Sequence, residues 1–294
     1  MNIVRIYELF PTEADCINHL EKVRWRGKPA CPYCQSQNTT PAPKEQRHHC
    51  NNCNTTFSVT IQTIFHHTHL PLQKWFLAVS LILNAKKGLS SRQLSRDLQV
   101  NKDTAWRIAM KIREAMSQHQ QRELLTGIVE IDEAYIGGKP RKGCPSDTNH
   151  KRGRGTDKTP VVGMVERNGS VKAKVMKKGD LTAKKLSALV RANVDIKTST
   201  LMTDEYTGYV HLKRLAEHHT INHKVWYVDG NIHTNSIESF WAILKRGIVG
   251  QFHKVSLKHL PKYIDEFCYR YNNRKANGGV LFDATIQKGL NLWQ

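Results

Sequence analysis

The sequence predicts an α/β protein: a mixed five-stranded sheet with helices, preceded by a small metal-stapled module and a helical segment. Three observations predict it. Two Cys-x2-Cys pairs lie near the N-terminus, helix-period apolar residues recur from 71 to 118, and β-type runs alternate with amphipathic stretches from 127 onward. At 294 residues the chain has room for about two domains of ordinary size. Its expected divisions are an N-terminal segment with the metal module (1–65), a helical region (66–122), an α/β domain (123–252) and a C-terminal helical extension (253–294).

The first pair is Cys31-Pro-Tyr-Cys34 and the second Cys50-Asn-Asn-Cys53, with fifteen residues between them. This is zinc-ribbon spacing. Each tight knuckle brings two thiolates to about 2.3 Å from one tetrahedral Zn²⁺, and two knuckles close the shell. So small a module has little core, and metal binding supplies much of its folding free energy. The opening MNIVRIYELF lacks the features of an export signal, so a cytoplasmic location is expected and disulfides are not. Cys16, Cys144 and Cys268 read as plain thiols, and His48 and His49 as surface residues.

Lys plus Arg number 45 and Asp plus Glu 25, a formal charge of +20, which attracts polyanions and makes nucleic acid the first partner to consider. The most apolar stretch, Trp75 to Leu83, is far shorter than the ~20 residues of a membrane span, so no membrane partner is expected. Charge is densest in Lys139–Lys158, with seven basic residues against two Asp. This Gly- and Pro-rich stretch reads as a long surface loop whose Arg141, Lys142, Lys151, Arg152 and Arg154 meet a DNA backbone. Ahead of it, a helix is predicted over Pro71–Lys87, a second over Ser91–Leu98 and a third over Lys102–Gln118. The last two, joined by the break Gln99-Val100-Asn101, fit a helix-turn-helix. Ala105, Ile108, Ala109, Ile112 and Met116 form the apolar stripe of the third helix; Arg107 and Lys111 face away and are DNA-contact candidates.

From 127 the order is three strands, helix, strand, helix, strand, helix. Gly127–Asp132 is a β-run ending in an acid, and Thr200–Asp204 is a second. Asn168-Gly169 marks a hairpin. A helix begins near Asn235, with Asn235 or Ser236 as its cap, and carries Glu238. This is the layout of an RNase H-like core, in which Asp132, Asp204 and Glu238 converge at one sheet edge. Three carboxylates offer hard oxygen ligands to Mg²⁺ or Mn²⁺. Glu133, Glu205 and Asp229 are competing acids nearby. Lys245 lies seven residues beyond Glu238, about two turns, on nearly the same helix face, a rise of ~10 Å, suited to gripping a phosphate. Phe240, Trp241, Tyr269 and Tyr271 read as core more readily than as base-stacking residues.

Three motifs, IDEAYIGG, TDEYTGY and HTNSIESFWAILKRGIVGQFHKVSLKHLPKYIDEFCYRYNNR, make the resemblance specific. With the zinc ribbon ahead of them, the chain from about Cys31 to Arg274 resembles insertion-sequence transposases of the ISXO-like group, relatives of the Merlin transposons. The resemblance implies a DDE-type catalytic triad and a following lysine, here Asp132, Asp204, Glu238 and Lys245, with catalytic Mg²⁺ or Mn²⁺ and structural Zn²⁺. It also implies a bacterial, nucleoid-associated protein that binds terminal inverted repeats and target DNA, contacts DNA through Lys245 and Arg246, and works as a homodimer or larger assembly. The competing expectation is a zinc-ribbon DNA-binding regulator, or a domesticated transposase that no longer cuts.

Overall fold

A computed structural model describes residues 1–117, 123–137, 156–221 and 233–291. The chain divides into two compact units, one of residues 1–116 with 275–294 and one of residues 117–274.

In the first unit, α1 (Ile3–Leu9) and α2 (Glu13–Trp25) are separated by a capping box, in which Thr12 and Asp15 satisfy each other's backbone N–H groups. The zinc ribbon follows as a three-stranded antiparallel sheet, β1 (Thr39–Ala42), β2 (Arg47–Cys50) and β3 (Thr55–Phe57). Trp25, Phe57 and Ile61 pack around Cys31 and Cys50. His48, expected at the surface, is instead buried between the Trp25 and Phe57 rings and bonded to Glu21 through Nε2 at 2.8 Å. The β1–β2 hairpin puts alternate side chains toward this aromatic cluster, and position 48 falls on that side.

Next come α3 (Leu72–Asn84), α4 (Ser91–Leu98) and α5 (Lys102–Ala115). Gln99, at φ 51°, ends α4 in the left-handed region, and Asn101 caps α5 by accepting from the Thr104 N–H at 2.7 Å. The two helices and their three-residue turn lie where the sequence places them, and Leu94, Leu98, Ala105, Ile108 and Ile112 are buried.

The second unit is the α/β layer. Its strands are β4 (Leu125–Ile136), β5 (Thr159–Glu166), β6 (Val171–Val175), β7 (Val194–Asp204) and β8 (Glu217–Ile221), in sheet order β6-β5-β4-β7-β8. The first three are antiparallel neighbours, and β7 and β8 add in parallel. This is the mixed RNase H-like sheet. Asn168, at φ 61°, makes the β5–β6 hairpin turn. Between β6 and β7 lies α6 (Ala183–Asn193), which with a 3₁₀ helix (Thr207–Arg214) covers the core of Val129, Ile131, Val162, Met164 and Leu201. α7 (Asn235–Gly247) runs into a π-helical turn (Ile248–Phe252), and α8 (Leu260–Asn272) packs on β6.

The final helix, α9 (Gly278–Leu290), belongs to the first unit, where it packs on α2, α3 and α5. Phe282 meets Phe76 edge-on at 5.5 Å, and Phe76 meets Phe10 at 4.8 Å. The unit boundary therefore falls inside the stretch 253–294, expected from sequence to be one extension. Among the described residues no helix is long and apolar enough to cross a membrane.

Candidate active site and zinc module

The zinc module shows how backbone geometry gathers ligands. After each knuckle the chain turns through a left-handed residue, Gln35 at φ 61° and Asn54 at φ 54°, and the Gln35 N–H bonds the Cys31 carbonyl at 2.9 Å. The four sulfurs converge, with Cys31–Cys53 at 3.6 Å and Cys34–Cys50 at 3.5 Å. A tetrahedral ZnS₄ centre has sulfur–sulfur edges of about 3.8 Å, whereas a disulfide requires about 2.05 Å. The donor set fits zinc.

In the α/β unit, β4 and β7 pair in parallel with Glu130 opposite Met202, and their ladder ends there. Carried two residues further, that register sets Asp132 level with Asp204 on the same face of the sheet, where the strands part. β4 itself continues to Ile136 along β5, so Asp132 lies within a strand rather than at its end. Carboxylate oxygens of Asp132, Glu133 and Asp204 lie within 4.8 Å of one another. The sequence left Glu133 as a competitor; the structure brings it into this group. Its Oε2 accepts from the buried Tyr209 hydroxyl at 2.8 Å. Asp204 accepts from the Tyr206 N–H at 3.0 Å, and Gly208 leaves room for the Tyr206 ring, which a Cβ there would approach to 2.3 Å. Tyr209 of the TDEYTGY motif thus supports Glu133 through its hydroxyl, whereas Tyr206 holds Asp204 through its backbone and spends its hydroxyl on the Leu181 carbonyl at 2.9 Å; sequence reasoning missed both roles.

Crowding shows in the electrostatics. Burial and the charges of Glu133 and Asp204 push the Asp132 carboxyl up to about 7, against the opposing pull of the Glu133 N–H and the Trp241 indole. Three acids held this close are an arrangement that a divalent cation relieves, and all-oxygen donors suit Mg²⁺ or Mn²⁺. Burial and the same acids raise Tyr209 well above its ordinary value, so its hydroxyl remains a donor.

Glu238 stands on the exposed side of α7, outside the group of three, with Oε1 taking a bond from the Thr234 hydroxyl at 3.3 Å. One turn further on, Trp241 reaches Asp132, its Nε1–H donating to Oδ2 at 3.1 Å. Lys245 and Arg246 are exposed in the last turn, where Arg246 Nε bonds the Ala242 carbonyl at 2.9 Å. Phe240, Trp241 and Tyr269 are buried, as core residues.

What anchors α7 was not legible in the sequence. Neither Asn235 nor Ser236 caps it; the N-cap is Thr234, whose side chain makes no capping bond. Glu130, fully buried in β4, accepts from the Ser236 and Ile237 N–H groups at 2.7 and 3.0 Å, the bonds a cap side chain ordinarily accepts. Its charge is balanced by Arg167 Nε at 2.7 Å, and Arg167 also holds the His233 carbonyl at 2.9 Å. Glu130 and Asp132 thus point to the same face two residues apart, one meeting the start of α7 and the other its second turn, so α7 runs in the same sense as β4.

Of the DNA-contact candidates, Arg107 is exposed. Lys111 is not an open basic residue: its ammonium bonds the Ile64 and His66 carbonyls at 2.9 and 3.3 Å and lies 5.9 Å from the Trp75 ring centre, and burial lowers its pKa. Helical periodicity separates the faces of α5 but does not show that residues 64–66 cover one of them. Arg141, Lys142, Lys151, Arg152 and Arg154 lie outside the described residues, as does Asp229.

The sequence profile described as ISXO2-like transposase domain matches residues 124–272, and that of a transposase zinc-ribbon domain matches residues 11–56. An uncharacterized protein in transposable element ISH50 of Halobacterium salinarum is 30% identical over 295 residues, 96% of this chain and 98% of its own. Among solved structures, the Mos1 strand transfer complex is 13% identical with a TM-score of 0.30, covering 73% of this chain and 78% of its own. The Mos1 mariner paired end complex with Mn is 14% identical with a TM-score of 0.31, covering 73% and 75%. TM-scores this low assign neither fold nor function. The two profiles cover the acid-bearing sheet and the cysteine knuckles, and the ISH50 protein matches nearly end to end: the chain belongs to the ISXO2-like transposase family.

Proposed function

We propose that this transposase hydrolyses a phosphodiester at the ends of its element and then joins the freed 3′-OH to target DNA, with Asp132, Asp204 and Glu238 holding Mg²⁺ or Mn²⁺. The observation that carries this reading is the levelling of Asp132 and Asp204 on adjacent parallel strands. Glu238 is assigned as third acid because its helix meets Asp132 one turn later, through Trp241. Bound divalent cations supply activation of the attacking oxygen and stabilisation of the leaving one. The residues of the chain do the rest. The acids fix where a phosphate sits, and Tyr209 holds Glu133 at their side. Lys245, two turns along α7 from Glu238, neutralises an adjacent phosphate. DNA is the partner, read by the zinc ribbon and the α4–α5 pair, with Arg107 and the basic stretch 139–158 on phosphates and a homodimer or larger assembly pairing two ends.

The test is to supply purified protein with a pre-cut element end, a plasmid and Mg²⁺. Joined products are expected. Cutting without joining identifies a nuclease, and salt-sensitive binding with neither identifies a regulator; either overturns the proposal.

A further inference from the structure

Asp132 is held on both oxygens. Oδ1 accepts from the Glu133 N–H at 2.7 Å and Oδ2 from the Trp241 indole at 3.1 Å. Each carboxylate oxygen has two lone-pair directions, so each retains one for a cation, and the plane of the carboxylate is set before any cation arrives. The indole reaches this oxygen only because of a residue on a third element. Gly163 of β5 sits directly opposite Asp132, and a Cβ there would lie 2.6 Å from Cζ2 of Trp241 and 2.8 Å from Cδ1 of Ile237. Trp241 therefore sets Cζ2 and Cη2 over the glycine while its Nε1–H reaches Asp132 on the neighbouring strand. The start of α7 is pinned by Glu130, so the indole is registered against β4 at two points one turn apart.

We propose that Trp241 is a positioning residue for the metal centre: its indole N–H, admitted by Gly163, orients the Asp132 carboxylate and thereby sets the affinity for the divalent cation. This rests on Asp132 being a metal ligand, as the proposed function has it. An aromatic in this motif reads from sequence as core, and Trp241 is core; its single polar atom is what carries the further role.

The experiment is calorimetric titration of the full zinc-loaded chain with Mn²⁺, in the absence of DNA. Trp241→Phe keeps the ring and removes the donor. Its Mn²⁺ affinity is expected to fall about tenfold, with an unchanged melting temperature before metal is added. In the joining reaction the Mg²⁺ concentration for half-maximal rate should rise by a similar factor, with the rate at saturating Mg²⁺ largely restored. A purely structural role would move the melting temperature and leave that split absent. A folded Trp241→Phe protein that binds Mn²⁺ within twofold of the parent overturns the proposal.

A second measurement needs no variant. With the six tryptophans ¹⁵N-labelled, substoichiometric Mn²⁺ should selectively broaden one indole N–H signal; broadening of none overturns the geometry. Asp132→Asn separates the two levels of inference. If it still binds Mn²⁺ as the parent does, the metal-site reading itself fails; if it loses Mn²⁺ while Trp241→Phe does not, only the positioning role fails.

Discussion

At the residue scale, Asp132 ties stability to pH. In the fold it keeps its proton up to about pH 7, whereas its ordinary value is 3.8. The folded chain therefore holds an extra proton between those values, and its contribution to stability is lost as pH rises through that window. Without divalent cations, and without a chelator that would strip zinc, Asp132→Asn should melt higher than the parent at pH 8, with the advantage shrinking as pH falls to 5 and gone only below 3.8. Adding Mg²⁺ at pH 8 should raise the parent and leave the variant in place. Equal melting curves at pH 8 would show that Asp132 is not crowded. Asp132 and Asp204, which the structure brings together, were legible because each ends an apolar run. Glu133 was ambiguous from sequence, since an adjacent acid on a strand points to the opposite face; it enters the group where the strands part and Tyr209 draws it in.

At the scale of elements, the attachment of α7 to β4 decides where Glu238 and Lys245 are presented. Glu130→Ala removes a fully buried carboxylate, leaving Arg167 unbalanced and two helix N–H groups without an acceptor. A loss of roughly 3–5 kcal/mol is expected by chemical denaturation, in keeping with breaking one side of a buried ion pair. A change below about 1 kcal/mol would show that the cap is dispensable. The zinc ribbon makes a parallel prediction. Cys31→Ser should release the zinc and open residues 31–57 to protease, while the 117–274 unit keeps its protection. Retained zinc and retained protection would contradict the four-cysteine site. Periodicity revealed α4, α5 and α6 because each buries one stripe against its own unit, and a near-continuous apolar run revealed α3, which is buried almost all round. It did not reveal the cap of α7, because the capping acid is 106 residues away in sequence, and a lone Glu in an apolar strand looks like an interruption. Lys111 shows the same limit: the face it occupies is covered by a segment with no period of its own.

For the whole molecule, chain connectivity matters more than the sequence divisions implied. α9 completes the aromatic core of the first unit through Phe282, so deleting residues 275–294 should lower the melting temperature of the helical unit and leave the α/β unit folded. A truncated chain with an unchanged melting profile would argue against that packing. A long-range return of this kind leaves no local pattern, since α9 looks like any amphipathic tail. The net charge of +20 acts at the same scale: DNA binding should weaken steeply with salt, as phosphate contacts release counterions. Charge draws DNA in, whereas the proposed chemistry depends on three acids set within it. The most direct measurement compares strand joining by the parent chain with Asp132→Ala, Asp204→Ala and Glu238→Ala, each at matched DNA occupancy. The predicted result is loss of joining by a thousandfold or more in all three, with binding isotherms that overlay the parent; joining retained by any of them would contradict the assignment of that acid.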